Sequence, residues 1–530
     1  MNIDISKKQK HKILKQLSIA MAKEAHILNE YPHLLWQQLF NRLQWLDNPI
    51  KGILENEFLR RDTKETGQWL KLINPIYESE ALIRTFKGHR NHINTCSFNP
   101  DHKHVISAGH GGELRVWDLS TGRETESIKG DFYHVYDCAF DPSGYHLTLC
   151  TAANTVVFDI MSRKIISKLE HPAQPLRAEF NPQGDSILTI SKDHIARIWG
   201  IEGKLHCQEP VYAATYTING DLLFVQTRLS TIILNRIETG ESMILQGDQF
   251  NPLPWDDYYK PTWAFSNDRQ FLAILEDSGQ GIGIWDTTDG KQIGYINDQI
   301  HGLLACESTI FGPTIIFTTS DNGQLHLWAP HDNKSCIIKG HTKRIGAVKF
   351  NQNGQLFLSC SWDWTVKLWR IVECKQKHTT VAHTHTSLEN IKWLAPIKDN
   401  AYSNNEYFFT PDGQAPIIVK EVEMSSGGLF GKSSVERFEV MNTATGNSIY
   451  TEGGHPTSPV SSVAINPDGN LMASAGMDGF FHVWNLVDGK RLATFSAMGR
   501  IEEVAFSSSG NLLYCCDEGK NIYYLKLINM

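Results

Sequence analysis

The chain has 530 residues, a net charge of −8 at neutral pH and 41% hydrophobic residues. This acidic balance makes nucleic acid an unlikely partner, and the sequence contains no apolar run of the roughly 18 residues that a membrane span needs. The ten cysteines include no C-x-x-C pair, so neither a disulfide framework nor a zinc site is indicated. We therefore expect a protein of the reducing cytoplasm with a sizeable core.

The first 80 residues are predicted to be a small α-helical region. Apolar residues recur at helical spacing on both sides of the Tyr31-Pro32 break: Leu14, Leu17, Met21, Ala25 and Leu28, then Leu35, Leu39, Leu43 and Leu46. The segments GILENEFLRR and GQWLKLI continue the helical or turn pattern up to Pro75. The lysine-rich start is typical of a solvated helix face, with attraction to an acidic membrane surface as the alternative.

From residue 81 onward the chain is dominated by an internal repeat. Three copies start at Gly88, Gly340 and Gly454, the second reading GHTKRIGAVKFNQNGQLFLSCSWDWTVKLW. Each copy has a Gly-His start, an alternating strand, an Asn-containing turn, a strand of small residues and an alternating strand closed by tryptophan. This pattern resembles the WD-repeat family, in which each repeat of roughly 40–45 residues builds one four-stranded propeller blade.

The resemblance implies an all-β propeller over residues 81–530, with about ten four-stranded units when the weaker copies are counted. Propellers usually have four to eight blades, so ten units imply either one unusually large ring or two rings. The last unit supplies three strands and then stops. We expect the segment ALIRTF, residues 81–86, to supply its fourth strand and so close a ring through both ends of the chain.

Polar residues recur at fixed spacing in three units. The sets are His171, Thr189, Asp193 and Trp199; His341, Ser359, Asp363 and Trp369; and His455, Ser474, Asp478 and Trp484. A Ser-His-Asp combination also suggests a hydrolase, but these sets recur in separate units and always with the same tryptophan. The family resemblance implies a structural hydrogen-bond network inside each blade. Where Gly111 replaces the aspartate of the first unit, a looser blade is expected.

The stretch SSGGLFGKSS, within residues 423–438, is one residue short of a phosphate-binding loop, because Ser426 stands at the first glycine position. A phosphate loop needs a helix after it, whereas SVERFEVMNTATG alternates like a strand. The stretch is therefore predicted to be a long hairpin tip, and no nucleotide cofactor is expected. Histidines at 378, 383 and 385 are interpreted as loop residues, and no metal is expected, because a site needs three or four converging ligands.

Two groups of aromatic residues are candidates for partner binding. The insertion DQFNPLPWDDYYKPTW, residues 248–263, offers Trp255, Tyr258 and Tyr259, although packing onto a neighbouring blade is equally compatible with it. A second group has Trp362 and Trp364 on either side of a turn aspartate, with Arg344 near the same rim. A tryptophan there either packs between blades or contacts a ligand.

Three functions are compatible with this sequence. The first is a non-enzymatic scaffold that recognises partner proteins through propeller loops and rim. The second follows from HLLWQQLFNRLQWL, which resembles the helical connector before the WD-repeat sensor of bacterial STAND-type ATPases. It is a ligand-sensing regulatory subunit of a STAND-type signalling or defence complex, although the chain lacks the ATPase domain itself. The third is an enzyme with a central-channel site, which the inner-strand stretches CAFDP, AEFNP, VKFNQ and VAINP do not favour because they share no repeated catalytic set.

Overall fold

The fold was analysed in a computed structural model of the chain. It describes residues 7–46, 50–61, 68–73, 79, 81–130, 132, 134–211, 213–228, 231–236, 240, 242–245, 263–275, 281–297, 300–309, 311–318, 321–330, 334–372, 406–409, 417–423, 435–442, 447–455, 459–507, 509–510, 512–518 and 521–528. The chain divides into two compact units. One, the ring unit, spans residues 79–379, and the other, the split unit, combines residues 1–78 with 380–530.

The ring unit contains 28 described strands. They are β2 (Leu82–Lys87), β3 (Ile93–Phe98), β4 (His104–Gly109), β5 (Glu113–Asp118), β6 (Glu124–Lys129), β7 (Asp137–Phe140), β8 (His146–Cys150), β9 (Asn154–Asp159), β10 (Lys164–Glu170), β11 (Pro175–Phe180), β12 (Ser186–Ser191), β13 (Ile195–Gly200), β14 (Leu205–Pro210), β15 (Ala213–Tyr216), β16 (Leu222–Arg228), β17 (Thr231–Arg236), β18 (Ser242–Leu245), β19 (Trp263–Phe265), β20 (Phe271–Leu275), β21 (Gly281–Asp286), β22 (Gln292–Asn297), β23 (Gly302–Thr309), β24 (Gly312–Thr318), β25 (Leu325–Ala329), β26 (Lys334–Ile338), β27 (Ile345–Phe350), β28 (Leu356–Ser361) and β29 (Thr365–Arg370).

These strands form seven four-stranded antiparallel sheets that close into a ring. Six sheets follow chain order from β3–β6 to β23–β26, and the seventh has the order β2-β29-β28-β27. In the seventh sheet, Phe86 of β2 pairs with Val366 of β29. A buried cluster that includes Phe86, Trp117 and Leu358 joins the seventh sheet to the first. The ring therefore closes after seven sheets, with its earliest strand completing its last sheet.

This closure corrects one prediction. Residues 81–86 supply a fourth strand, but to the sheet of β27–β29 and not to the last unit of the chain. The sequence pattern could not distinguish the two possibilities. The sheet of β27–β29 and the last sheet of the chain both lack an outer strand of their own, and either could pair with an alternating segment.

The third strand of five of the seven sheets carries a buried tryptophan as its penultimate residue, and these are Trp117, Trp199, Trp285, Trp328 and Trp369. Each such indole fills the space inside and beside its sheet, since a buried aromatic residue removes about 150–250 Å² of surface from water. The repeat thus places one large apolar side chain at the same point of each of these sheets.

The split unit begins with three helices, α1 (Lys7–Glu30), α2 (Leu35–Leu43) and α3 (Ile50–Arg61), and a 3-10 turn at Pro32–Leu34. Its strands are β1 (Trp69–Leu72), β30 (Glu406–Phe409), β31 (Ile417–Glu423), β32 (Val435–Asn442), β33 (Asn447–Tyr450), β34 (Val460–Ile465), β35 (Leu471–Gly476), β36 (Phe480–Asn485), β37 (Arg491–Ser496), β38 (Ile501–Phe506), β39 (Leu512–Asp517) and β40 (Ile522–Ile528). They form three four-stranded sheets, β30–β33, β34–β37 and β1-β40-β39-β38.

Within the segment GQWLKLI, residues Trp69–Leu72 form a strand, which corrects the predicted helix or turn there. Its residues Trp69–Leu72 pair antiparallel with β40, with Leu72 opposite Leu525. Leu70 and Leu72 are fully buried. A segment of four residues is too short for its apolar pattern to distinguish a strand from one helical turn by sequence alone.

The helices pack on β1, because buried polar side chains of α2 satisfy the backbone of that strand. Asn41 donates to the Leu70 carbonyl at 2.9 Å and accepts from the Leu72 N–H at 2.9 Å. Gln37 accepts from the Leu70 N–H at 2.9 Å and donates to the Thr494 carbonyl of β37. These bonds fix α2 along an otherwise open strand edge.

The buried face of α1 differs from the predicted apolar series. Ala20, Glu24 and Ile27 are buried, whereas Leu14 and Met21 are 65% and 47% exposed. Glu24, which is not in the predicted series, is buried and pairs with Arg42 of α2, so an ion pair lies on the buried face of α1.

The predicted fold class is confirmed: the chain is all-β, with ten four-stranded sheets among the described residues and a small helical region before them. The predicted division places a helical region at 1–80 and a propeller at 81–530. The compact units comprise residues 79–379 and residues 1–78 with 380–530, and the predicted division stays a prediction. In the described part, no helix combines the length and the hydropathy needed to cross a membrane.

Candidate interaction surface

A chain of hydrogen bonds runs through the seventh sheet of the ring unit. The Trp369 indole N–H donates to Ser359 Oγ at 2.7 Å, Ser359 Oγ lies 2.6 Å from His341 Nε2, and His341 Nδ1 lies 2.8 Å from Asp363 Oδ2. All four residues are buried. Because the Asp363 carboxylate only accepts, His341 donates to it from Nδ1. The other nitrogen of the neutral imidazole, Nε2, then accepts the proton of the Ser359 hydroxyl.

The electrostatics of this chain favour a structural role. Burial lowers the pKa of His341, although Asp363 beside it favours the charged form. Burial alone would raise the pKa of Asp363, but His341, Lys367 and the Thr365 hydroxyl outweigh burial and hold the pKa well below its usual value. The side chains of His341 and Asp363 are fully inaccessible to solvent. A substrate therefore has no access to this pair.

The same arrangement recurs in the split unit. Trp484 donates to Ser474 Oγ at 2.9 Å, and His455 Nε2 lies 3.0 Å from that oxygen. His455 Nδ1 lies 3.4 Å from Asp478 Oδ2. The structure thus brings all four predicted residues together in this sheet, as it does in the seventh sheet of the ring unit.

The third predicted set is only partly assembled. Trp199 and His171 both contact Thr189 Oγ1, at 2.8 and 2.9 Å. His171 Nδ1 instead donates to the Leu169 carbonyl, and Asp193 pairs with Arg197 at 2.6 Å. Burial lowers the pKa of His171 to about 4. An arginine two residues before the tryptophan therefore competes with histidine for the turn aspartate.

The first sheet keeps a shorter version of the chain. His89 Nε2 lies 2.6 Å from Ser107 Oγ, which accepts from Trp117 at 2.8 Å. Burial, with Arg115 nearby, lowers the pKa of His89 to about 3. At the aspartate position Gly111 has φ +97°, in the left-handed region that favours glycine. A looser sheet at this position stays a prediction.

The turn between β28 and β29 carries the two predicted tryptophans, both half-buried. Trp364 has φ +67°, whereas the same turn position holds Gly112 at +66°, His194 at +59° and Gly479 at +76°. A bulky residue in this conformation costs about 1–2 kcal/mol, which glycine does not. The seventh sheet therefore accepts a backbone cost to hold an indole at its rim.

Trp362 lies where the seventh sheet meets the first. Its ring is 4.5 Å from that of His92 and 6.2 Å from that of His110, and Arg344 lies 5.0 Å above it. His134 stands 4.5 Å from His110, edge to face. We call these five residues the Trp362 patch. The predicted alternatives for Trp362, packing between blades or meeting a ligand, are not exclusive here, because the indole packs at the seam and is still half-exposed.

Arg344, the cation of the Trp362 patch, is held in place by its neighbours. Arg344 Nε lies 3.9 Å from Asp321 Oδ1. The backbone N–H of Trp362 and the Ser361 hydroxyl both donate to the Arg344 carbonyl at 2.9 Å. The guanidinium is thus positioned over the indole by its own backbone and by an acidic neighbour, in the geometry of a cation–π pair.

Charged residues on the inner strands were missed by the sequence analysis. A cavity of about 120 Å³ is lined by residues of β7, β11, β23 and β27 and by β19 with the turn after it. Its charged residues are Asp137, Arg177, Arg269, Glu307 and Lys349. Since five of the seven innermost strands or their ends contribute, the cavity lies in the central channel of the ring, and we call it the channel pocket. A charged residue within an otherwise small or apolar inner strand, as in AVKF or ACEST, is the sequence feature that indicates it.

Some predicted residues lie outside the described part of the chain. These are Trp255, Tyr258 and Tyr259, the centre of the SSGGLFGKSS stretch, and the histidines at 378, 383 and 385. Within the described residues, no group of three or more His, Cys, Asp or Glu is arranged to hold a metal ion, and nine cysteines are free.

The model of the "WD domain, G-beta repeat" family matches three segments of the chain, residues 80–118, 333–370 and 446–485. The first segment covers the ring-closing strand β2 and strands β3–β5 of the first sheet. The second covers β26 and strands β27–β29 of the seventh sheet, and the third covers β33 and strands β34–β36 of the split unit. The matches therefore fall on repeats that carry the tryptophan-centred hydrogen bonds.

Several curated proteins are similar over longer stretches. Apoptotic protease-activating factor 1 of Homo sapiens is 21% identical over 486 residues, 76% of this chain and 37% of that protein. The guanine nucleotide-binding protein subunit beta of Solanum tuberosum is 22% identical over 395 residues, 67% of this chain and 98% of that protein. A WD repeat-containing protein WDS homolog of Arabidopsis thaliana is 21% identical over 54% of this chain.

The chain spans between 24% and 37% of the length of the apoptotic protease-activating factors that it matches. The beta subunit is matched over almost its whole length. Together, the three matched segments and the ten four-stranded sheets show that the chain contains WD repeats, and the similarity to these longer-matched relatives lies at 21–22% identity.

Proposed function

We propose that this protein is a non-enzymatic scaffold of the cytoplasm that binds partner proteins through the loops and rim of its ring unit. WD-repeat relatives support an interaction role at this coarse level. A closed ring of seven sheets presents its turns on a rigid frame, and preorganised contacts lose little entropy on binding.

The observation that carries the proposal is the Trp362 patch. Tryptophan and arginine are enriched among residues that dominate binding energy at protein interfaces. Here Trp362 is half-exposed at a seam between two sheets, and its neighbours position Arg344 over the indole ring. The neighbouring Trp364 holds a backbone conformation that equivalent turns give to glycine or histidine. Such a cost at a rim position is typical of a functional surface.

The test is a tagged pull-down from the native cell, with mass spectrometry, comparing wild type with Trp362→Ala. The matched control is Met477→Ala, which changes the same turn position in a sheet of the split unit. We expect a stoichiometric partner that Trp362→Ala loses and Met477→Ala retains, with both variants melting near the wild-type temperature. A partner retained by Trp362→Ala would contradict the patch as the binding site.

The insertion at 248–263 is a second proposed site. The triple variant Trp255→Ala/Tyr258→Ala/Tyr259→Ala tests it in the same pull-down. Loss of the partner from the triple variant alone would move the interface to the insertion, and loss from both variants would make the two sites parts of one interface.

The second candidate function is a ligand-sensing subunit that works beside a STAND-type ATPase. The similarity to apoptotic protease-activating factors over 76% of the chain favours it, as does the helical region resembling the STAND connector. Recovery of an ATPase that binds through the helical region would support the sensor function. Recovery of other proteins that bind only through the rim of the ring unit would support the scaffold function.

A further inference from the structure

The channel pocket of the ring unit holds more cationic side chains than its acidic groups balance. Lys349 Nζ lies 3.1 Å from Asp137 Oδ1, so these two charges pair. Arg269 donates to the carbonyls of Tyr216 and Ser266, at 2.8 and 3.1 Å. Its guanidinium is also 3.6 Å from Glu179.

Glu307 is satisfied by backbone. It accepts from the Ser308 N–H at 2.9 Å and from the Asn267 N–H at 3.2 Å. Burial raises its pKa to about 7, so near neutral pH it supplies only part of a negative charge. It therefore compensates little of the positive charge in the pocket.

Arg177 is the cation that remains. Its guanidinium carbon lies 4.4 Å from the centre of the Trp263 ring, and within the described residues the guanidinium makes neither a hydrogen bond nor an ion pair. The cation–π contact holds the group in place and leaves its N–H groups available. A planar guanidinium fork matches a carboxylate, which accepts two parallel hydrogen bonds from it.

The remaining walls set the size and polarity of what fits. Leu176, Leu304, Ala347 and Phe350 line the same cavity of about 120 Å³. An anion there needs an apolar body to cover these side chains. A dianion is disfavoured, because one cation is available to it and the Asp137 carboxylate, which accepts from the Ala178 N–H beside Arg177, lines the same pocket.

We propose that the channel pocket binds a small organic monocarboxylate, with the Arg177 guanidinium as its ion-pair partner and the apolar wall residues around its body. This site lies beyond the proposed scaffold function. Arg344 of the Trp362 patch precedes the start of β27, and Lys349 of the pocket is the penultimate residue of that strand. The two sites therefore lie towards opposite ends of one strand and are testable separately.

The experiment is isothermal titration calorimetry of the full chain with butanoate, benzoate and N-acetyl-leucine, and with butyramide and inorganic phosphate for comparison. We expect the carboxylates to bind, the neutral butyramide to give no heat of binding, and phosphate to bind more weakly. N-acetyl-leucine stands for the carboxylate at a chain terminus, and its rank against butanoate and benzoate distinguishes that source from a free metabolite.

Three variants locate the binding. Arg177→Gln is expected to weaken carboxylate binding at least tenfold, whereas Arg90→Gln, which removes an exposed arginine outside the pocket, leaves it unchanged. Asp137→Asn releases Lys349 and is expected to strengthen binding several-fold, which a merely unfolded variant would not do. The proposal is overturned if no carboxylate binds at 10 mM, if phosphate or butyramide binds as tightly, or if a folded Arg177→Gln binds butanoate like wild type.

Discussion

Two turns in this protein each anchor the same kind of hydrogen-bond network and differ in the residues on either side of the aspartate. The seventh sheet of the ring unit has Trp362-Asp363-Trp364, and the β35–β36 turn of the split unit has Met477-Asp478-Gly479. In both, the aspartate contacts a buried histidine that is bonded to a serine and a tryptophan. In both, the third residue has a positive φ, +67° and +76°.

The difference separates what folding needs from what it tolerates. Glycine satisfies the third position without strain, and methionine suffices at the first, so neither tryptophan is required by the network. The seventh sheet nevertheless holds two indoles there, one at the seam beside His92. We interpret the network as the common structural part and the tryptophans as an addition for binding. The following predictions test that distinction.

The largest effect is expected from the buried tryptophans at the base of the two networks. Trp369→Ala and Trp484→Ala each remove a fully buried indole and should cost about 3–5 kcal/mol of unfolding free energy. Urea unfolding followed by circular dichroism measures this loss. A loss below about 1 kcal/mol in one sheet alone would break the equivalence of the two networks.

A second contrast concerns two buried carboxyl groups of the ring unit whose pKa values shift in opposite directions. Asp363 has its pKa lowered, and burial raises that of Glu307 to about 7, with Asp268, Arg269 and Cys306 as its titratable neighbours. The folded state holds the Glu307 proton more tightly, so its contribution to stability is present below pH 4.5 and is lost as pH rises towards 7. Glu307→Gln should therefore stabilise the ring above pH 7, by about 2–3 kcal/mol.

The sign for Asp363 is the reverse. Its contribution is present above the unfolded pKa of about 3.8 and is lost as pH falls. Asp363→Asn should destabilise the protein at pH 7 and by a smaller amount at pH 3, where the contribution has begun to fall but is not yet lost. Thermal melts of the two variants across pH 3–8 check both slopes. Parallel pH profiles for the two variants would contradict the assigned charge states.

The serines at the centre of the networks should give a smaller loss. Ser359→Ala and Ser474→Ala each leave a buried indole N–H and a histidine nitrogen without their shared partner. We expect about 2 kcal/mol in each case, as for an unsatisfied buried polar group. Urea unfolding measures it, and equal losses at the two sites would sharpen the equivalence.

The smallest effect on stability is expected at the rim. Trp364→Gly relieves a left-handed backbone at the cost of some packing, so the unfolding free energy should rise, by no more than about 1 kcal/mol. The reciprocal change, Gly479→Trp, introduces the strain and should destabilise by about 1–2 kcal/mol. Opposite signs in the thermal melts are the expected result.

The sequence predicted the repeat and the networks because both are local patterns. His341, Ser359 and Trp369 recur at a spacing that antiparallel strands bring together. The strand partners were not predictable in the same way: residues 82–87 and 69–72 each complete a sheet whose other strands lie far along the chain. Short alternating segments carry no information about which open sheet edge they meet.

The channel pocket was missed for a related reason. Lys349 and Asp137 are 212 residues apart and belong to different repeats. A search for one catalytic set repeated in every unit does not detect charged residues that each occur in a single repeat. These residues come together only when the ring closes. Closure after seven sheets, which the sequence left open, is what brings them together.

The most direct test of the central claim is to graft the turn of the split unit onto the ring unit. The variant Trp362→Met/Trp364→Gly keeps Asp363 and the network and reproduces the Met477-Asp478-Gly479 turn. Its melting temperature and its recovery of the partner in the pull-down are measured together. We predict a melting temperature within a few degrees of wild type and at least a tenfold loss of partner. A variant that melts like Trp369→Ala, or that still recovers the partner, would contradict the account.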